Sequence, residues 1–515
     1  MAYPTLLELE QIAANTKEPR LTRTLEIAPG GVDPLGLRQI NFDLMDLVLP
    51  SLNNVAQHIR PFTVVAWGWR QAAKCAQKAG KVKIDLSELR DFVDRIEVIY
   101  AWSQLLRNSN ADLPGRDFLA FLLKADHYCF GGDAWNVIRA KRKDSTALSA
   151  PVNYGPVLKS LGWLEPSNEA RGAYRHTGMV VEALNALDLR LGDRIAHPAF
   201  SRLGEVTISR KDVKEWGDAW ALDEPSSEEQ SAMVEAMLGK MARKELREGC
   251  VLIAEVVSRR RGDLDIHGVR RDMCGTLGLF ESTPHLQLVA ERWRAVQARQ
   301  LFRFALESLL HWTLLRISYR PVSTAKLADY FIEETGGATC LRDWLSVSDS
   351  IATSLPENLD LLELSLSAPD LSRRIRTALA ASLRDSSAEF ITQREDRLPL
   401  SRAKRETGAY NDRPPIEFMT HVLGSWIFGQ HVYWSVGRGL GDARSNGKSI
   451  LRLKVVSDEN GWTLAPGTNL RALPHPTPDR LETAMKLMQE AGLFHSQTAV
   501  QSSANRKGSA SAPAQ

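Results

Sequence analysis

The sequence predicts a mainly α, multi-domain helical protein with a winged-helix-like unit and, near its end, a small β-hairpin followed by a helix. Three observations predict it. Apolar residues recur at close to the helical repeat along much of the chain, as in Phe92, Ile96, Ile99, Tyr100 and Leu106. Residues 154–189 switch from helix to short strand, turn, short strand and helix. At 515 residues the chain exceeds one hydrophobic core, because cores stop growing at roughly 250–300 residues.

The elements follow in order. Leu35–Leu49 leads into the turn Pro50–Asn54, and then into the apolar run Val55–Gln71. Asn53 or Asn54 is expected to cap this run, and Pro61 to end or kink a turn and leave Arg60 exposed at a corner. With Asp91–Leu106, this forms an N-terminal helical domain over residues 1–115. A short helix at Phe118–Leu123, a break at Gly131-Gly132 and a helix near Trp135–Ala140 come next, the last ending in the basic knot Arg139, Lys141, Arg142 and Lys143. Tyr154–Leu161 stops at Gly162, which suits a left-handed position, and Thr177 suits the cap of Met179–Leu189. This defines a winged-helix-like domain over 116–222; a helical domain with an irregular loop is the competing reading.

Asp223–Gln230 reads as a linker. The middle helical domain, 231–392, has helical patterning over Met233–Val257 and over Leu288–Ile317, whose apolar residues cover most of the helix circumference and mark it as buried. Gln393–Pro415 reads as a mobile basic loop. In the α+β domain 416–495, Ser449–Val456 and Trp462–Leu464 flank Asn460-Gly461 as a hairpin, and Pro478 opens a helix closed by Gly492. Residues 496–515, rich in Ser, Ala, Gly and Gln, read as a disordered tail.

Composition narrows the function classes. The chain has 65 Lys+Arg against 62 Asp+Glu, so any contact with nucleic acid must be local rather than spread over the whole surface. Cys75, Cys129, Cys250, Cys274 and Cys340 have no paired spacing, which predicts free thiols in a reducing compartment. Glu8, Glu10, Lys17 and Glu18 interrupt the opening apolar run, and no stretch reaches the roughly 20 apolar residues of a membrane span. A cytoplasmic protein without membrane contact is expected.

The chemical motifs fall short. Gly441–Ser449 nearly spells a phosphate-binding loop, but five residues separate its glycines where four are required, and a strand-like run follows where a helix is needed. Ser323-Thr324-Ala325-Lys326 and Ser401-Arg402-Ala403-Lys404 lack the companion elements of a serine–lysine site. Asp263, Asp265 and His267 alternate as metal ligands on a strand would, but a polar loop with neutralising charges is the favoured reading. His421 and His431 sit among aromatic residues and read as packed. No catalytic residue and no cofactor or metal is assigned, and a non-enzyme is favoured. Asn53, Asn54, His58 and Arg60 form a possible binding corner, and Arg139, Lys141, Arg142 and Lys143 a possible contact with duplex DNA.

Leu35-Gly36-Leu37, Leu49-Pro50, Asn53-Asn54, Arg60-Pro61 and Trp67–Arg70 resemble the opening of a loose group of large bacterial proteins met beside restriction and anti-phage defence genes. The resemblance covers about the first 190 residues and carries no catalytic motif. It implies a setting in which this chain is a non-catalytic, DNA-associated subunit or sensor beside other subunits of a defence complex. A metal-dependent nuclease using Asp263, Asp265 and His267, or a protein-binding scaffold, are the alternatives.

Overall fold

The computed structural model describes residues 26–27, 33–80, 85–142, 146–168, 170–260, 265–275, 284–346, 354–387, 394–437 and 450–494. The protein is mainly α. The elements used below are α1 (Arg38–Met45), α2 (Arg60–Lys78), α3 (Leu86–Arg107), β1 (His127–Phe130), α4 (Asp133–Lys141), α5 (Tyr154–Ser160), β2 (Leu164–Pro166), β3 (Tyr174–His176), α6 (Val181–Leu191), β4 (Val206–Ser209), α7 (Ser227–Leu238), α8 (Lys244–Arg259), α9 (Gln287–Arg316), α10 (Thr324–Thr335), α11 (Leu355–Leu364), α12 (Leu371–Arg384), α13 (Leu400–Gly408), α14 (Pro415–His421), β5 (Val455–Asp458), β6 (Gly461–Leu464) and α15 (Leu481–Glu490).

Two compact units divide the chain, one from residues 1–45 with 270–477, the other from 46–269 with 478–515. Each is thus assembled from two separated stretches, whereas the sequence reading laid its domains end to end.

In the second of these units, α2 and α3 pack together. Trp67 meets Phe200 and Trp220 edge-on, with ring centroids 5.6 and 6.4 Å apart, and Phe62 meets Tyr154 at 5.0 Å. Such aromatic pairs add packing energy beyond the area they bury. The predicted order helix, strand, turn, strand, helix is present as α5, β2, β3 and α6, with β2 and β3 antiparallel from Leu164↔His176 to Pro166↔Tyr174. Gly162 adopts φ +73° as expected. Thr177 makes no cap; its hydroxyl donates to the Gly162 carbonyl at 2.6 Å and closes the base of the hairpin. A second antiparallel pair, β1 with β4, joins His127 to Ser209 across the sequence.

The other unit is built around α9, a 30-residue helix buried along most of its length. Its core takes in Phe302, Leu306, Trp312, Phe331, Trp344 and Trp426. After α14 the backbone widens into a π-helical stretch, Val422–Gly429, which places Phe428 flat against Trp462 with ring centroids 4.2 Å apart. The expected hairpin forms as β5–β6, with Asp458 opposite Gly461, so that Glu459 and Asn460 form its tip and Gly461 opens the second strand.

Three segments differ from expectation for identifiable reasons. Asp223–Gln230 is no free linker, because Ser226 and Glu229 form a capping box that starts α7 and Glu229 is buried. Met233–Val257 is not one helix: α7 ends at Leu238 and α8 begins at Lys244. The described part of Gln393–Pro415 contains α13, where Arg402 pairs with Glu406 one turn on at 2.7 Å. No two of the five cysteines are joined, and no described helix is long and apolar enough to cross a membrane. The tail from 496 onward lies outside the described residues.

Candidate functional site

The possible binding corner is a structural knot. Asn53 Oδ1 accepts from the Val55 and Ala56 amides, which tightens a turn rather than capping a helix. Asn54 donates to the Pro478 carbonyl and accepts from the Arg480 amide, tying this turn to the approach to α15. His58 Nδ1 lies 2.6 Å from Glu490 Oε1, while Glu490 Oε2 accepts the Ile59 amide at 2.7 Å and so serves one of the orphan donors at the start of α2. Pro61 lies in the first turn of α2 and ends nothing. Arg60 is not exposed at a corner: it is fully buried, 3.0 Å from the buried Glu229 and bonded to the Glu224 carbonyl.

The basic knot is largely engaged inside the fold. Arg139 reaches Asp91 at 3.3 Å and Asp94 at 2.8 Å. The Arg142 side chain is only 4% exposed, with Nη2 3.0 Å from Glu97. Glu97 also accepts the Leu148 and Ser149 amides, and its burial raises its pKa even though Arg142 opposes the shift. Lys141 is exposed, and Lys143 lies outside the described residues.

The remaining motifs resolve more simply. Ser323 caps α10 by accepting the Lys326 amide, and Lys404 donates to the Asp385 carbonyl at 2.7 Å. Asp265 accepts the Gly268 amide and pairs with Arg260 at 2.9 Å; Asp263 and the loop 441–449 lie outside the described residues, among which no group of three metal-ligating side chains occurs. His421 lies 2.9 Å from Glu406. His431 is buried and hydrogen-bonded at both ring nitrogens.

A groove of about 370 Å³ between α2 and the β2–β3 hairpin gathers charge instead. Arg70, Lys74 and Gln77 line it from α2, roughly one turn apart, and Asn168, Tyr174 and Arg175 from the hairpin. Its floor is rigid: Trp69 meets Tyr174 edge-on at 5.5 Å, and Lys159 Nζ sits 4.3 Å above the Tyr174 ring. Gly172 turns the hairpin at φ +89°, beside Leu86 and Arg90. Asp188 holds Arg70 at 2.6 Å and touches Lys74 at 3.8 Å, and Glu165 holds Arg175 at 2.9 Å. Arg90, Lys159 and Arg171 are exposed and have no ion pair among the described residues. Sequence reasoning missed this surface because its cations come from separate elements; the spacing of Arg70, Lys74 and Lys78 on one helix was the available signal.

No protein-family model, no curated protein and no solved structure matches this chain.

Proposed function

We propose that this chain is a non-catalytic, DNA-associated protein that holds the sugar-phosphate backbone along the groove between α2 and the β2–β3 hairpin. The observation that carries the reading is the set of exposed cations with no carboxylate partner among the described residues, Arg90, Lys159 and Arg171, beside the groove, where Lys159 lies over its Tyr174 and Arg90 lies near Gly172 of its hairpin. An unpaired surface cation can replace a condensed counterion on a phosphate at little cost, whereas Arg142 would first have to leave the buried Glu97. Contacts of this kind position a duplex without reading its sequence. The resemblance of the opening residues supplies the setting, a subunit or sensor of a bacterial anti-phage defence system.

The test is a salt titration of duplex binding. Each phosphate contact contributes a log-log slope of about −0.9, so Arg90→Ala, Lys159→Ala and Arg171→Ala together should flatten the slope by up to about 3. Arg139→Ala, whose partners Asp91 and Asp94 remain partly solvated, should leave it unchanged. Equal slopes for wild type and the triple variant, or no binding at low salt, would overturn the reading and favour a protein-binding scaffold.

A further inference from the structure

The unit built on α9 holds a second, chemically distinct site. Arg303, Glu307 and His311 follow one another at four-residue spacing along α9, and so share a face. Glu307 and His311 line a cavity of about 270 Å³ with Arg38 and Lys454, against an apolar wall that includes Leu310 and Leu314. At about 30 Å³ per water, that is the space of roughly nine waters.

The polar groups here are placed but not satisfied. Glu307 is 2% exposed; its Oε2 contacts Arg303 Nη1 at 2.7 Å and Arg38 Nη2 at 3.6 Å, while its buried Oε1 has no hydrogen-bond partner among the described residues. A buried carboxylate oxygen without a donor is costly, and an unexplained one points to a missing partner. His311 is 5% exposed and makes no hydrogen bond among the described residues; burial, and then the Lys454 charge, lower its pKa and keep the ring neutral.

Lys454 is held by its backbone. Its amide donates to His431 Nε2 at 2.8 Å, and its carbonyl accepts from the Ala465 amide and the Thr468 hydroxyl, both at 3.0 Å. His431 Nδ1–H donates to the Pro34 carbonyl at 2.8 Å, and burial pushes this imidazole down to about 4, so it stays a neutral clamp between two cavity-lining residues. Arg303 is fixed in turn by donating to the His475 carbonyl at 3.0 Å.

The charges select the ligand. Arg38 and Lys454 line the cavity, the one carboxylate there, Glu307, is paired with Arg303 behind the lining, and His311 is neutral, so an excess of two positive charges remains. A phosphate monoester balances that excess. The unpartnered Glu307 oxygen requires a donor; the phosphoryl group of a monoester dianion carries none, so a hydroxyl elsewhere on the ester supplies it, while the phosphoryl group stays on the cations.

We propose that this cavity binds a small hydroxylated phosphate ester, with the phosphate on Lys454 and Arg38 and the hydroxyl between Glu307 Oε1 and His311. The site is independent of the DNA groove, and the two proposals fail separately.

The experiment is calorimetric titration of the full chain with glycerol 3-phosphate, inorganic phosphate and glycerol, each paired with a thermal melt, since a ligand that binds only the folded state raises the melting temperature. Glycerol 3-phosphate should bind at least about tenfold more tightly than inorganic phosphate, and glycerol not measurably; about tenfold corresponds to one good ligand contact. Lys454→Met should weaken both phosphates at least about tenfold. Glu307→Gln should abolish the preference for the ester, and the triple groove variant should bind as wild type. Arg38→Met, at the partly exposed rim, carries the test if Lys454→Met fails to fold. No heat and no thermal shift at millimolar ester, or unchanged binding in Lys454→Met and Arg38→Met, would overturn the proposal.

Discussion

His58→Gln should make the stability of the unit formed by residues 46–269 and 478–515 less dependent on pH. Burial disfavours the charged His58 ring, but the carboxylates of Asp112 and Glu490 outweigh it and raise its pKa from 6.5 to about 9. A group whose folded pKa is raised stabilises the fold fully below its unfolded pKa, and that contribution is lost as pH rises through the folded value. The window is therefore about pH 6.5 to 9. A shift of about 2.5 units corresponds to roughly 3.4 kcal/mol at 1.36 kcal/mol per unit. Asp112 is 72% exposed and 3.8 Å away, so solvent screening reduces its share, and about 2 kcal/mol is the expected size. The ion pair with Glu490 at 2.6 Å, both side chains 18% exposed, supplies most of it. Hydrogen exchange of α2 and α15 peptides, at pH 6 and pH 9.5 after correction for intrinsic rates, reads the local opening free energy. Wild type should lose about 2 kcal/mol more than His58→Gln between those values. An equal loss in both proteins would show that His58 is not charged in the fold.

Two further perturbations separate packing from charge. Arg60→Met leaves the Glu229 carboxylate buried without its cation and should cost about 3–5 kcal/mol in local opening of α2 and α7, while Arg60→Met with Glu229→Gln should recover at least about half, because two neutral groups need no mutual compensation; a double variant no better than the single one would contradict this. Gly461→Ala combines φ +127° with a Cβ that would stand 2.5 Å from the Val322 carbonyl carbon, so it should cost about 3 kcal/mol or more, against about 1 kcal/mol for Gly467→Ala at φ +79° in open space. Thermal melts of the two variants test the difference, and equal losses would place the cost in the backbone angle alone.

The elements that local chemistry decides were legible. α9 shows its burial in an all-round apolar pattern, and Asn460-Gly461 announces the β5–β6 hairpin, whose tip falls one residue earlier, at Glu459-Asn460. The elements decided by distant partners were not. β1 pairs with β4 from His127 to Ser209, and nothing near either strand announces the other. Arg60 reads as a corner residue until Glu229 is placed beside it. The π-helical stretch is equally hidden, because nothing in the residues Val422–Gly429 announces the widening that accompanies the stacking of Phe428 on Trp462.

The same distinction governs the candidate surfaces. A run of cations is the most visible signal a sequence can give, yet visibility is not availability. Asp91, Asp94 and Glu97 recur every three residues on α3, and Arg139 and Arg142 recur at the same interval at the end of α4; two matched stripes of opposite sign on helices predict each other as partners. That complementarity was present in the sequence and identifies Arg139 and Arg142 as internal glue, while Lys141 stays exposed. Arg90, Lys159 and Arg171 come from three different elements, and the packing of the hairpin beside α2 and the start of α3 brings them near one groove with no carboxylate paired to them among the described residues. A surface free to take phosphate is therefore better sought among cations that lack a carboxylate stripe of matching period than among the densest basic runs.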